Sequence, residues 1–145
     1  MTVELPDLAA MEAFGARIAR RLRRGDVVAL SGALGAGKTT LARAVIAALG
    51  HRGEVPSPTF TILETYDALQ PPLVHADFYR LRDPSEVTEL GLDDYRAGAA
   101  LLAEWPENAG GFGHEAQCLK VTLETRGQGR VAIVEPGLDW LGRLP

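Results

Sequence analysis

Cysteine is almost missing from this chain: Cys118 stands alone. That excludes an internal disulfide framework and makes a reducing, cytoplasmic compartment the default expectation. A single free cysteine is itself expected to be a small buried apolar residue. An excess of positive charge is absent too. Fifteen Lys and Arg against nineteen Asp and Glu leave a net charge of −4, which argues against bulk binding to DNA or RNA while leaving room for a local basic patch. No apolar run approaches the roughly 20 residues of a membrane span. Met1–Pro6 has neither the basic nor the apolar region of a secretion signal, so neither a membrane nor an export route is expected. Internal repeats and linkers are missing as well. With 145 residues, 46% apolar and 23% charged, the expectation is one globular domain spanning 1–145.

What is present is punctuated by glycine. Gly32-Ala33-Leu34-Gly35-Ala36-Gly37-Lys38-Thr39-Thr40 fits the phosphate-loop pattern G-x-x-x-x-G-K-S/T. In such a loop, backbone N–H groups converge on phosphate oxygens, the lysine neutralises the terminal phosphates, and the hydroxyl after it ligates Mg²⁺. The surroundings have the required order. Val27–Ser31 reads as a strand buried on both faces, the loop follows directly, and a helix begins at Gly37-Lys38. Leu41, Ala44, Val45, Ala48 and Leu49 form its predicted buried face, and Gly50 ends it.

Upstream, Val3–Leu5 reads as a short strand and Asp7 as an N-cap. Leu8, Met11, Phe14, Gly15, Ile18 and Leu22 make one helical stripe. Arg17, Arg20, Arg21, Arg23 and Arg24 crowd the helix end. They read either as a solvated, dipole-matched terminus or as a contact patch for RNA or an acidic partner.

Downstream, Phe60–Tyr66 alternates like a strand after a Gly/Pro/Ser-rich loop. Leu73–Asp77 and Ala99–Ala103 are short apolar strands, each delivering a carboxylate at its end, Asp77 and Glu104. Ligands of open α/β sheets lie off those strand ends, where a carboxylate can hold Mg²⁺ or orient an attacking water. His75 shares a strand face with Asp77. The pair could bind metal, but orientation of neighbours by hydrogen bonds is the stronger reading. Asp83-Pro84-Ser85-Glu86 predicts a helix start, Gly91 its end, and Leu92–Ala97 a second short helix or a turn. Glu107–Gln117 is a loop, and Cys118–Glu135 an antiparallel hairpin turning at Arg126–Arg130. The predicted fold is α/β: a three-layer P-loop NTPase-type arrangement, with a mostly parallel central sheet flanked by helices and a hairpin at the C-terminal edge.

Beyond the loop, several motifs occur in a fixed order: Ser57-Pro58-Thr59-Phe60, His75-Ala76-Asp77-Phe78-Tyr79-Arg80, Glu89-Leu90-Gly91-Leu92-Asp93-Asp94-Tyr95 and Glu104-Trp105-Pro106. With the loop, they make the chain resemble the TsaE (YjeE) family over about Pro6–Arg130. These are small bacterial P-loop ATPases needed for the threonylcarbamoyl modification (t6A) of adenosine in tRNAs reading ANN codons. The resemblance implies that Gly32–Thr40 holds ATP or ADP and that Thr39 and Glu104 contact Mg²⁺. It makes Thr59 a sensor of the terminal phosphate within a switch segment and Asp77 a catalytic carboxylate. Trp105 and Arg130 would lie near the nucleotide. It also implies partners, the TsaB and TsaD homologues, with hydrolysis weak outside that assembly and tRNA met only through it. Two positions depart from the family: Met11 stands in place of a frequent threonine, and Ala33 replaces an aspartate, which removes a charge without changing the loop glycines and predicts altered tuning of the site rather than lost binding.

Two other classes compete. A small-molecule kinase would want an Arg-bearing lid, and Glu107–Gln117 holds no Arg or Lys. A non-catalytic nucleotide-binding scaffold would tolerate loss of both carboxylates. A GTPase would want an Asn-Lys-x-Asp motif, which the sequence lacks.

Overall fold

The computed structural model describes residues 1–58 and 62–145. Thr2–Leu5 forms strand β1, Leu8–Arg21 helix α1, Val27–Gly32 strand β2 and Lys38–Ala48 helix α2. Leu63–Tyr66 (β3) and Leu73–Asp77 (β4) follow, then two short helices, Glu86–Leu90 (α3) and Leu92–Arg96 (α4). Ala100–Glu104 (β5) leads through a 3₁₀ turn to Cys118–Arg126 (β6) and Gly129–Pro136 (β7). Of the predicted strand over Phe60–Tyr66, Leu63–Tyr66 is extended. Ile62 has φ 67°, which interrupts extended backbone, and Thr59, Phe60 and Thr61 lie outside the described residues.

The seven strands form one sheet in the order β1-β7-β6-β2-β5-β4-β3. Its centre, β6-β2-β5-β4, is parallel, and antiparallel partners close both flanks. The α/β architecture with a C-terminal hairpin is as expected. The addition is β1, which pairs with the outer side of β7. Every residue of β4 and β5 is buried, the consequence of helices covering both faces of a parallel sheet.

Asp7 caps α1, its Oδ1 accepting the Ala10 N–H at 2.8 Å. Met11, Phe14, Gly15 and Ile18 are buried as the stripe predicts. Leu8 is not: it is 60% exposed, because helical periodicity fixes the side a residue takes but not whether anything lies opposite. On α2 the buried apolar residues are Leu41, Ala42, Val45 and Ile46, while Ala48 is exposed. This helix is covered by both α1 and the sheet, so its apolar stripe is turned and widened. Gly15 makes the helix contact possible. A Cβ there would lie 2.6 Å from the Ala44 Cβ, closer than two carbons can approach. The helix predicted from Asp83 begins at Glu86, because the Asp83 carboxylate accepts the Ser85 N–H at 2.9 Å and so closes a local turn instead.

Two apolar clusters flank the sheet. One joins α1 and α2 to Leu30, Leu73 and Leu102; the other gathers Val74, Phe78, Leu92, Leu101 and Phe112. Cys118 lies in the second at 2% exposure, and burial pushes its thiol pKa up to about 11. At the join between α1 and β2 the sequence hid a buried ion pair. Asp26 accepts two N–H groups of Arg143 at 2.5 and 2.6 Å. Among the described residues, no helix is long and apolar enough to cross a membrane.

Candidate nucleotide-binding site

β2 ends at Gly32 and α2 starts at Lys38, so the glycine loop bridges the C-terminal edge of the sheet and a helix N-terminus. Gly32 has φ 142°, and a Cβ there would meet the Leu123 carbonyl oxygen at 2.5 Å; only glycine passes so close to β6. Gly37 caps α2 in the left-handed region, with φ 107° and ψ 14°. The first N–H groups of a helix have no intrahelical acceptor and carry the positive end of its dipole. A glycine loop at such a helix N-terminus can cradle an anion.

Lys38 is only 5% exposed. Its Nζ donates to the Gly32 and Ala33 carbonyl oxygens at 2.7 and 2.8 Å and sits 4.3 Å from the Trp105 ring centroid. Burial holds the ammonium below its usual pKa, opposed by the charges of Glu104, Glu107 and Asp77. Ala33 contributes through its backbone, a contact indifferent to the side chain that departs from the family pattern.

The carboxylates arrive from neighbouring strands. β4 and β5 pair with Asp77 opposite Glu104. Glu104, 2% exposed, accepts the Thr39 hydroxyl on Oε1 at 2.7 Å, and its Oε2 lies 2.6 Å from His75 Nε2. The Asp77 Oδ1 accepts the Tyr79 N–H at 2.9 Å, and the Tyr79 ring packs on Trp105 with centroids 5.0 Å apart. A cleft between these groups is lined by Gly35, Lys38 and Thr39 together with Asp77, Glu104, Tyr79 and Trp105. Arg130 supports the far side of the loop, donating from Nε to the Ala36 carbonyl at 3.0 Å and from Nη2 to that of Gly35 at 3.4 Å. It lines a second cleft with Met11, Leu8, Thr40 and Gly37.

Thus Leu34, Gly35 and the residues from Gly37 to Thr40 share one cleft with Asp77, Glu104 and Trp105, while Gly32, Ala33 and Ala36 do not line it, and Arg130 braces the loop from behind. Thr59 lies outside the described residues. Sequence reasoning missed Glu107, which accepts the Ser31 hydroxyl at 3.2 Å. It also missed Asn108, whose amide donates to the Phe78 carbonyl at 3.2 Å. Their place just after Glu104-Trp105-Pro106 was the available signal. His75 does orient a neighbour by hydrogen bond, and that neighbour is Glu104.

A glycine loop between a buried strand and a helix, faced by carboxylates at adjacent strand ends, defines a P-loop NTPase-type α/β domain. Residues 5–132 match the family described as "Threonylcarbamoyl adenosine biosynthesis protein TsaE", and the chain belongs to that family. A protein named tRNA threonylcarbamoyladenosine biosynthesis protein TsaE from Haemophilus influenzae is 39% identical over 125 residues, covering 82% of this chain and 79% of its own. One of the same name from Streptomyces coelicolor is 48% identical over 100 residues, covering 67% and 68%. The crystal structure of Bacillus subtilis YdiB superposes with a TM-score of 0.78 at 27% identity, covering 97% of this chain and 88% of that one.

Proposed function

We propose that this protein binds and hydrolyses ATP as the nucleotide-gated component of t6A synthesis on tRNA. On this reading it works in the cytoplasm beside TsaB and TsaD homologues and meets tRNA through them. The observation that carries the reading is the contact of the Thr39 hydroxyl with Glu104 Oε1 at 2.7 Å, at the foot of the phosphate cradle. Hydroxyl and carboxylate oxygens are the hard donors Mg²⁺ takes beside nucleotide phosphates, so Thr39 and Glu104 fit as the residues that would hold it. Bound there, the cation supplies neutralisation of phosphate charge.

The chain's own groups do the rest. The loop N–H groups bind and orient the phosphates. Lys38 exchanges its loop carbonyls for phosphate oxygens and offsets the charge that develops on them, an interaction strengthened by its burial. Trp105 and Tyr79 wall the cleft against water. Asp77, whose Oδ1 is held by the Tyr79 N–H, is positioned to hold the attacking water. The segment from Ser57 to Phe60 reports nucleotide state to the partners. The membership of the family and the collinear motifs support the tRNA role, and the site geometry supports the chemistry.

The test is ATP turnover by the purified chain, alone and with TsaB and TsaD homologues, repeated for Asp77→Ala and Glu104→Ala. Slow turnover alone, stimulation by the partners and loss in both variants are expected. Equal turnover with and without partners would sink the gating, and phosphoryl transfer to a metabolite without partners would make the protein a kinase. Intact t6A formation by both variants, with loss in Lys38→Ala, would make it a scaffold.

A further inference from the structure

Alternation along β4 sets Leu73, His75 and Asp77 on one face. Leu73 belongs to the apolar cluster under α1 and α2, and His75 beside it is 0% exposed. A leucine would fill such a place at no polar cost, whereas a buried imidazole must find hydrogen bonds. His75 has one, to Glu104 Oε2 at 2.6 Å, while its buried Nδ1 has no hydrogen-bond partner among the described residues. An ionised carboxylate only accepts, so the proton of that bond sits on Nε2. In the neutral ring with its proton on Nε2, Nδ1 is a lone pair turned to the core, the less costly atom to leave unpaired. This histidine spends a buried polar atom to make a single contact, and that contact is to Glu104.

Resting on the reading of the cleft as a Mg²⁺–nucleotide site, we infer that His75 is a positioning residue that fixes the Glu104 carboxylate for the cation. The last torsion of a glutamate side chain is broad, so one hydrogen bond leaves the carboxylate free to swing. Here Oε1 meets the Thr39 hydroxyl and Oε2 meets the imidazole, which together set the plane of the group. The two anchors differ in kind. Thr39 belongs to the loop that receives the nucleotide, whereas His75 stands in a strand paired along its whole length with β5. The imidazole therefore gives the carboxylate a reference that does not move with the loop. Asp77, two residues on, is left to act separately at the strand end.

The experiment measures Mn²⁺ affinity in the ADP complex by electron paramagnetic resonance, beside ADP affinity in chelator. His75→Leu should weaken Mn²⁺ binding about 10–100-fold, the usual effect of losing the hydrogen bond behind a metal-binding carboxylate. Metal-free ADP binding should be unchanged, which also reports that the variant folds. His75→Gln, which keeps an N–H donor, should recover most of the loss. A second measurement needs no substitution: the ¹⁵N-detected imidazole of His75 should be protonated at Nε2, and its signals should move when Mg²⁺ is added to the ADP-bound protein but not when ADP alone is added. Unchanged Mn²⁺ affinity in His75→Leu, an equal loss of metal-free ADP affinity, or imidazole signals blind to Mg²⁺ would each overturn the inference alone. Unmodified protein that bound neither ADP nor Mn²⁺ would overturn the nucleotide reading beneath it.

Discussion

Arg143→Met should be among the most damaging single changes outside the cleft, although only two residues follow it in the sequence. Arg143 is 7% exposed and Asp26 1%. The guanidinium gives one N–H to each Asp26 oxygen, at 2.5 and 2.6 Å, and a further bond to the Arg21 carbonyl at 2.6 Å. Its Cζ also lies over the Trp140 ring, 4.1 Å from the centroid. Without it, Asp26 keeps the Arg23 N–H at 2.6 Å and no cation. Breaking one side of a buried pair costs about 3–5 kcal/mol, because the remaining charge is desolvated and alone. That is a large share of a total stability of about 5–15 kcal/mol. At roughly 2–4 °C per kcal/mol for a domain near this size, Tm should fall by about 10 °C.

The assay is urea unfolding of the wild type, Arg143→Met, Asp26→Asn and the double variant. The double variant should regain much of the loss, since a matched apolar or neutral pair replaces a buried ion pair at little net cost. ADP affinity of the folded single variants should be unchanged, because β2, which carries the loop, is held on both sides by β5 and β6. A loss below about 1 kcal/mol, the worth of a solvated surface pair, would refute the reasoning. It would mean that the tail lifts away and water reaches Asp26.

Three further outcomes are expected. Gly32→Ala should cost about 1–3 kcal/mol in denaturant melts and abolish nucleotide binding, since its Cβ meets a strand carbonyl that cannot retreat. Gly35→Ala, whose Cβ would meet nothing within 4 Å, should cost about 1 kcal/mol for its positive φ alone; equal effects would contradict the steric argument. Burial holds Lys38 below its ordinary 10.5, so over a window beneath 10.5 the unfolded chain binds the proton that the folded chain has released. Stability of the wild type relative to Lys38→Met should therefore rise with pH through that window, and urea melts across it that show a fall would reverse the assignment. Finally, Gly15→Ala should cost about 1–3 kcal/mol by forcing α1 from α2. Ala44→Gly should return part of it in a thermal-melt cycle, while additive losses would place the strain elsewhere.

Which of these features the sequence disclosed depends on how far apart their causes lie. The loop, the cap at Asp7 and the apolar strands ending in Asp77 and Glu104 are each determined within a few residues, and each was legible. The Asp26–Arg143 pair joins positions 117 residues apart, and nothing local marks either as paired. The buried face of α2 was misread at Ala42, Ile46 and Ala48 because a period gives one side, whereas two neighbours, α1 and the sheet, compete for the helix. The start of α3 was misplaced because an aspartate before proline serves a turn as readily as a cap. Arg130 marks the boundary between these cases. Its nearness to the loop came from family resemblance, yet strand direction explains it. β6 runs parallel to β2, with Leu123 opposite Gly32, and β7 returns antiparallel from the turn just beyond. The first residues of β7 therefore stand at the same sheet edge as the last residues of β2. A returning strand delivers its beginning where parallel strands deliver their ends, and so a residue that opens β7 braces a loop that closes β2.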